Sequence, residues 1–183
     1  MKSLLLHVDQ LHAALTETVR VFGADVQSAG VMLEACLQRG GKAVVFGNGG
    51  SAAQASHFAG ELVGRYQSTR RPYAALALGM DASVTTCIGN DFGYDQLYAR
   101  QVTALVKPDD WVLGLTTSGR SPNVRAGLAQ AAQIGAYTLA LTGQAGLAEP
   151  IDTLTEIRAA ASETCTIQEV HLTLLHHWCR MLE

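Results

Sequence analysis

From Lys42 onward, short apolar runs alternate with longer stretches whose apolar residues recur every three or four positions. The runs 43–46, 74–78, 111–115, 137–141 and, more weakly, 153–157 have the length and composition of buried strands. Between them, 52–65, 83–88, 94–105, 122–134 and 147–149 read as helical, and a closing helix is expected over 164–182. Strands alternating with helices imply right-handed crossovers and a parallel sheet covered on both faces. In such sheets ligands bind beyond the carboxyl ends of the strands, at the topological switch point. Ahead of the alternation, residues 3–38 read as two helices. Leu4, Leu11, Leu15 and Val19 form one stripe, Val31, Leu33, Cys36 and Leu37 a second, with Phe22-Gly23-Ala24-Asp25 between them and Gly40-Gly41 ending the second. This helical prefix belongs to no βαβ repeat and is expected to serve packing and oligomerisation.

The 183 residues are expected to form a single domain, with residues 1–40 as an N-terminal helical arm and 41–183 as the α/β core. Charged residues make up 16% of the chain, below the roughly 25% usual for soluble proteins, which points to surface buried in an oligomer. The net charge of -3, without a Lys/Arg cluster, argues against nucleic acid as a partner. Cys36, Cys87, Cys165 and Cys179 form no C-x-x-C pair, and a reduced, cytoplasmic setting is expected. The apolar run Leu4-Leu5-Leu6 is too short for a signal peptide, and no stretch approaches a membrane span.

The richest chemistry follows the first strand. Gly47-Asn48-Gly49-Gly50-Ser51 ends an apolar run and precedes a helical stretch that Ser51 is placed to cap. A glycine-rich turn at a helix start presents free backbone N–H groups to an anion, although it matches no nucleotide-binding motif. A plain strand-to-helix turn would look the same. A second turn, Thr116-Thr117-Ser118-Gly119-Arg120-Ser121, repeats the arrangement after the third strand-like run, with Ser121 as expected N-cap and Pro122 in the first helical position. Two hydroxyl-bearing turns at strand ends favour one phosphorylated ligand between them, with Arg120 facing solvent. His57 and Glu61, at i and i+4, share one helix face. That spacing suits a shared metal ion, an acid/base pair or a surface pair, and Arg65 extends the stripe. The closing helix carries Gln168, His171, His176 and His177, of which His171 and His177 read as core or interface histidines. Asn90 and Asp91 stand in an expected loop, suited to a polyol or to capping a helix near Tyr94.

Taken together, these blocks resemble the SIS (sugar isomerase) domain, and within that family the sedoheptulose-7-phosphate, or phosphoheptose, isomerases. The similar segments are Gly47–Ser51, His57–Tyr66, Gly89–Gly93, Thr117–Gly119 with Ser121, and Ile167–His171. They run in order along nearly the whole chain. The resemblance implies a three-layer, flavodoxin-like fold with a five-stranded parallel sheet flanked by helices, in a homotetramer with interfacial active sites. It implies interconversion of sedoheptulose 7-phosphate and D-glycero-D-manno-heptose 7-phosphate, the first step of nucleotide-activated heptose synthesis. It places Asn48, Gly49, Gly50, Ser51, Glu61, Asn90, Asp91, Thr116, Thr117, Ser118, Ser121 and Gln168 on the phosphorylated seven-carbon sugar. It places His57, Glu61, Gln168 and His176 on one zinc ion per subunit, and Glu61 and His176 in the acid/base roles. Gly60, Thr116, Arg120 and Cys165-Thr166 depart from the usual pattern, the last at the substrate end.

Two other readings remain. Some SIS relatives of similar length lack the catalytic pair and bind the bacterial replication initiator; His57, Glu61 and His176 are all present here. Another phosphosugar is also compatible with the motifs. Spacing adds a constraint on the metal set. Gln168 and His176 are eight residues apart on one helix, about 12 Å along its axis, whereas zinc ligands at about 2.0–2.2 Å from the ion must converge. Either the helix is distorted or a neighbouring subunit donates one of the pair, and a site at a subunit interface is expected.

Overall fold

A helix of 37 residues, α1 (Lys2–Gln38), opens the chain. The computed structural model describes residues 2–183; Met1, the first residue of the expected arm, lies outside them. The break expected at Phe22-Gly23-Ala24-Asp25 does not occur. Leu11, Ala14, Leu15, Thr18, Phe22, Val26, Ala29, Leu33 and Cys36 line one inward face without a change of phase at Gly23. Glycine in a helix costs about 1 kcal/mol relative to alanine, less than continuous burial on both sides of it contributes. Leu4, Val19 and Val31, which the periodicity places on the inward stripes, are instead half or more exposed. α1 ends where expected, with Gly40 at φ 84°.

The five strands are β1 (Ala43–Gly47), β2 (Ala75–Ala77), β3 (Trp111–Thr116), β4 (Tyr137–Thr142) and β5 (Thr155–Arg158). They form one parallel sheet in the order β2-β1-β3-β4-β5. This is the flavodoxin-like order, whose switch point lies between β1 and β3. β1 and β3 are buried at every residue, which is why each reads as an unbroken apolar run. Alternate residues face opposite layers. Ala43, Val45, Leu113 and Leu115 pack toward α1, α2 (Gly50–Val63) and α6 (Thr164–Met181). Val44, Phe46 and Val112 pack toward α3 (Ala82–Phe92), α4 (Leu97–Leu105) and α5 (Pro122–Ile134).

Aromatic side chains tie α1 to the sheet. The Trp111 and Trp178 rings meet edge-on at 5.4 Å, and their indole N–H groups donate to the Ala29 and Val26 carbonyls of α1 at 3.2 and 2.9 Å. At Gly30 a Cβ would lie 2.3 Å from Met181 Sδ and 3.0 Å from Trp178 Cδ1, so a larger residue there would displace the Met181 side chain between α1 and α6.

Two further expectations fail. Residues 147–149 form no helix: Leu147 N–H donates to Glu156 Oε1 at 2.6 Å and Ala148 N–H to Gly119 O at 3.1 Å. Three residues are too few to hold a turn against such partners, and Pro150 disfavours helix just before it. The segment with Asn90 and Asp91 is the last turn of α3, not a loop. Asp81 caps that helix by accepting from Val84 N–H at 2.8 Å, and Gly93 at φ 85° ends it. A short 3-10 turn, Tyr94–Gln96, then leads into α4.

Candidate active site

The switch point sets two loops side by side, because Gly47 pairs with Leu115 at the carboxyl ends of β1 and β3. In the first loop Gly49 takes φ 57° and ψ -121° and is itself the N-cap of α2. Ser51, expected to cap, lies inside the first turn and is 3% exposed. Glycine at the cap starts the helix two residues earlier than the sequence suggests. Gly47 is equally constrained: a Cβ there would lie 2.7 Å from Leu115 O and 2.7 Å from Ser51 Cβ.

Asn48 and Asn123 lock the two loops together. Each amide donates to the other's oxygen, at 2.9 and 2.8 Å. Asn48 Oδ1 also accepts from the Tyr94 hydroxyl at 3.0 Å and the Tyr98 hydroxyl at 3.3 Å. Asn48 Oδ1 is therefore committed to the protein, and of its two amide hydrogens one goes to Asn123, leaving one for a ligand. Burial pushes the Tyr98 phenol up from its ordinary value, which keeps it a donor. Asn123, Tyr94 and Tyr98 escape the sequence reading; an asparagine directly after a helix-starting proline is the one local sign of such a lock.

In the second loop Thr116 and Ser121 place their hydroxyl oxygens 3.2 Å apart, and Ser118 Oγ accepts from Arg120 N–H at 3.2 Å. Ser121 holds the N-cap position of α5 with Pro122 behind it, but its side chain makes no capping bond. Gly119, at φ 66°, sits so close to Gly146 O that a Cβ would be 1.8 Å away. Thr117 and Ser118 open onto a cavity of ≈ 560 Å³ with Arg120, Gln144, Ser162 and Ile167 on its walls. Arg120 is exposed, as expected.

A second group gathers at the far end of α2. His57 Nε2 lies 2.9 Å from His176 Nε2, the two rings edge-to-face at 5.2 Å. His57 Nε2 is 3.6 Å from Glu61 Oε1, and the Tyr66 ring lies 5.6 Å from that of His176. Burial, then the neighbouring His57, lower the His176 imidazole below its ordinary value against the opposing pull of Glu61. Arg65, expected on the same stripe, falls beyond the end of α2 and is exposed.

Gln168 stands apart from this group. α6 is an unbroken helix, so of the two alternatives the distorted helix is absent, and Gln168 and His176 keep a separation of about 12 Å along it. The Gln168 amide covers Gly50, where a Cβ would be 2.6 Å from its Nε2. Gln54 Nε2 donates to Gln168 O at 2.6 Å and leaves its own Oε1 buried without a partner. α2 and α6 run side by side, and each carries one polar group near its start and another near its end. Ser51 and Glu61 are separated by about 15 Å of helix rise. Among the described residues no three His, Cys, Asp or Glu are grouped closely enough to hold a metal ion.

The remaining residues lie outside both groups. Asn90 donates to Asp91 Oδ1 at 2.7 Å, both exposed at the end of α3. His171 is fully buried, its Nε2 3.0 Å from Thr142 O, as expected of a core histidine. His177 is exposed in the chain alone.

This is an SIS domain: the family model of that description matches residues 7–143. Within that family the chain belongs to the phosphoheptose isomerases. It is 43% identical over 166 residues to the phosphoheptose isomerase of Aquifex aeolicus, covering 90% of this chain and 86% of that one. A phosphoheptose isomerase structure from Francisella tularensis superposes with a TM-score of 0.92 at 32% identity, covering 99% of this chain and 96% of the other. One from Neisseria gonorrhoeae gives 0.90 at 34% identity, covering 99% and 97%.

Proposed function

We propose that this chain interconverts sedoheptulose 7-phosphate and D-glycero-D-manno-heptose 7-phosphate through an enediol. The observation that carries the reading is the meeting of His57, Glu61 and His176 in a protein whose relatives are named phosphoheptose isomerases. Ketose-to-aldose conversion removes a proton from carbon 1 and protonates the carbonyl oxygen on carbon 2; the enediol then loses its carbon-1 hydroxyl proton and gains one at carbon 2. Glu61 and His176 share these transfers as a paired acid and base. Burial and the neighbouring His57 favour the neutral form of the His176 imidazole. Ser51, Thr117, Ser118 and Ser121, with the amides of Gly49 and Gly50, hold the phosphate and fix the open-chain sugar for reaction.

The donor chemistry at the far end of α2 fits zinc. Two imidazole nitrogens face one another at 2.9 Å and a carboxylate stands beside them, an N/N/O set that would have to rearrange, with the two nitrogens moving apart, and gain a fourth ligand to surround one ion. His57, Glu61 and His176 would hold the ion, and Gln168 is the candidate fourth. Zinc, when bound, supplies a Lewis acid for the oxyanion of the enediol.

Since Ser51 and Gln168 lie at one end of the α2–α6 pair and Glu61 and His176 at the other, we infer that a complete site forms between chains of a homotetramer. The exposed Leu4, Leu5, Leu6, Val8, Val19 and Val31 of α1 supply apolar surface for such an assembly. The four free cysteines suit a reducing cytoplasm, and no helix among the described residues is long and apolar enough to cross a membrane. The test is NMR of the purified protein with a panel of ketose phosphates, with and without chelator. Aldose formation from sedoheptulose 7-phosphate, suppressed by chelation, is expected; inertness toward it in zinc-supplemented buffer overturns the reading.

A further inference from the structure

The segment after α2 carries a polar clasp that the proposed chemistry does not use. Tyr66 lies over His176, its plane inclined 33° to the imidazole, and packs against the core beneath. The backbone just past Tyr66 is gripped by one carboxylate. Glu183 accepts from Gln67 N–H at 3.3 Å, from Ser68 N–H at 2.7 Å and from the Ser68 hydroxyl. Arg70 joins this carboxylate to the turn that bears Glu61. Its guanidinium donates to Glu61 O at 2.7 Å and Leu62 O at 3.0 Å, and its Nε lies 3.9 Å from Glu183 Oε1. The Tyr73 ring lies 4.6 Å below the guanidinium. The Arg70 and Glu183 side chains are 9% and 17% exposed, while the contacts of Glu183 with Gln67 and Ser68 lie at the surface.

We propose that Tyr66 is a positioning residue for His176 and that Glu183 holds Tyr66 in place through the backbone of Gln67 and Ser68. This rests on His176 being an acid/base group in the proposed isomerase. An imidazole with one open face can swing about its final torsion; an aromatic ring laid against that face limits the swing and holds the plane of the imidazole. The hydroxyl of Tyr66 has no part in this, but its ring does. Misplacement of a catalytic group by about 1 Å costs up to about a hundredfold in rate, so a clasp remote from the sugar can govern turnover without touching binding.

The test compares Tyr66→Leu, Tyr66→Phe, Glu183→Ala and the double variant Tyr66→Leu/Glu183→Ala. Tyr66→Leu and Glu183→Ala are each expected to lower kcat on the order of tenfold, with KM within about twofold. Tyr66→Phe is expected to stay within about twofold of the parent. The double variant should be no slower than Tyr66→Leu, because Glu183 acts through Tyr66. A second readout is the NMR shift of the His176 ring protons at fixed pH. It should move in Tyr66→Leu and Glu183→Ala and hold in Tyr66→Phe. Additive rate losses, or a His176 signal that moves in Tyr66→Leu alone, overturn the proposal. Should Glu183→Ala not fold, Glu183→Leu keeps the bulk without the acceptor oxygens and is judged by the same two readouts. If the parent isomerises no sugar phosphate, the proposed function fails while the His176 signal still decides the place of Tyr66.

Discussion

His57 and His176, from different helices of one chain, bring their Nε2 atoms to 2.9 Å. Both nitrogens cannot carry protons at that distance without repulsion. One imidazole must present a lone pair to the other, or both present lone pairs to a shared electrophile. Glu61, 3.6 Å from His57, stands where its carboxylate can balance a positive charge on the imidazole pair.

Replacing Glu61 by Gln keeps the shape of the side chain and removes its basicity. Turnover of sedoheptulose 7-phosphate is expected to fall by about 10²–10⁴-fold, the range for a lost acid/base group. Glu61 is partly exposed at 21%, so the melting temperature should change little. Activity near that of the parent would remove Glu61 from the chemistry.

Ser51→Ala and Ser118→Ala are each expected to weaken binding of a phosphorylated sugar by about tenfold, the worth of one hydrogen bond to a charged group. The unphosphorylated sugar should bind both variants and the parent alike. Calorimetric titration reads the difference. Dissociation constants unchanged in both variants would exclude the hydroxyl turns as the phosphate cradle.

His171 predicts a pH dependence of stability. Its bond to Thr142 O requires the proton on Nε2, which leaves Nδ1 buried without a partner. Burial lowers this imidazole to about 4 from an ordinary 6.5. The unfolded chain therefore takes up a proton before the folded one. The contribution is constant above about pH 6.5 and is lost as pH falls toward about 4, amounting to about 3 kcal/mol across that window. Urea midpoints from pH 7 to 4.5 should fall more steeply in the parent than in His171→Leu. Parallel slopes would show that the folded chain accommodates the charged ring.

The sheet was legible because β1 and β3, buried on both faces, are free of polar residues up to Thr116 at the carboxyl end of β3. Ser121-Pro122 marked the start of α5 for the same kind of local reason. The failures share a different cause. Gly23 looks like a break in α1, yet Phe22 and Val26 stay on one face through it, and burial overrides a propensity of about 1 kcal/mol. Asn90-Asp91 looks like a loop, yet α3 runs on through them to Phe92 and ends at Gly93, at φ 85°. At the site, spacing on α2 found His57 with Glu61, since a helix face is a local property. The Asn48–Asn123 lock, the tyrosines behind it and Tyr66 over His176 join residues far apart in the chain. No periodicity encodes such contacts.

The division of the site between chains gives the sharpest prediction. Spacing alone allows the metal set to be split at any point, including between Glu61 and His176. The structure narrows this, because His176 meets His57 within one chain and α6 is unbroken. Gln168 lies over Gly50, beside the proposed phosphate loop and about 12 Å from His176 along the helix. In the proposed assembly the split falls between two half-sites: Ser51 with Gln168, and His57 with Glu61 and His176. Mixing inactive Glu61→Gln with inactive His176→Ala under subunit exchange should restore nothing, since both lesions fall in the same half. Mixing inactive Gln168→Ala with inactive His176→Ala should restore activity. Some mixed interfaces then join an intact Gln168 half to an intact His176 half. Native mass spectrometry confirms that exchange has occurred. Recovery in the first mixture, or verified exchange without recovery in the second, would refute this division of the site.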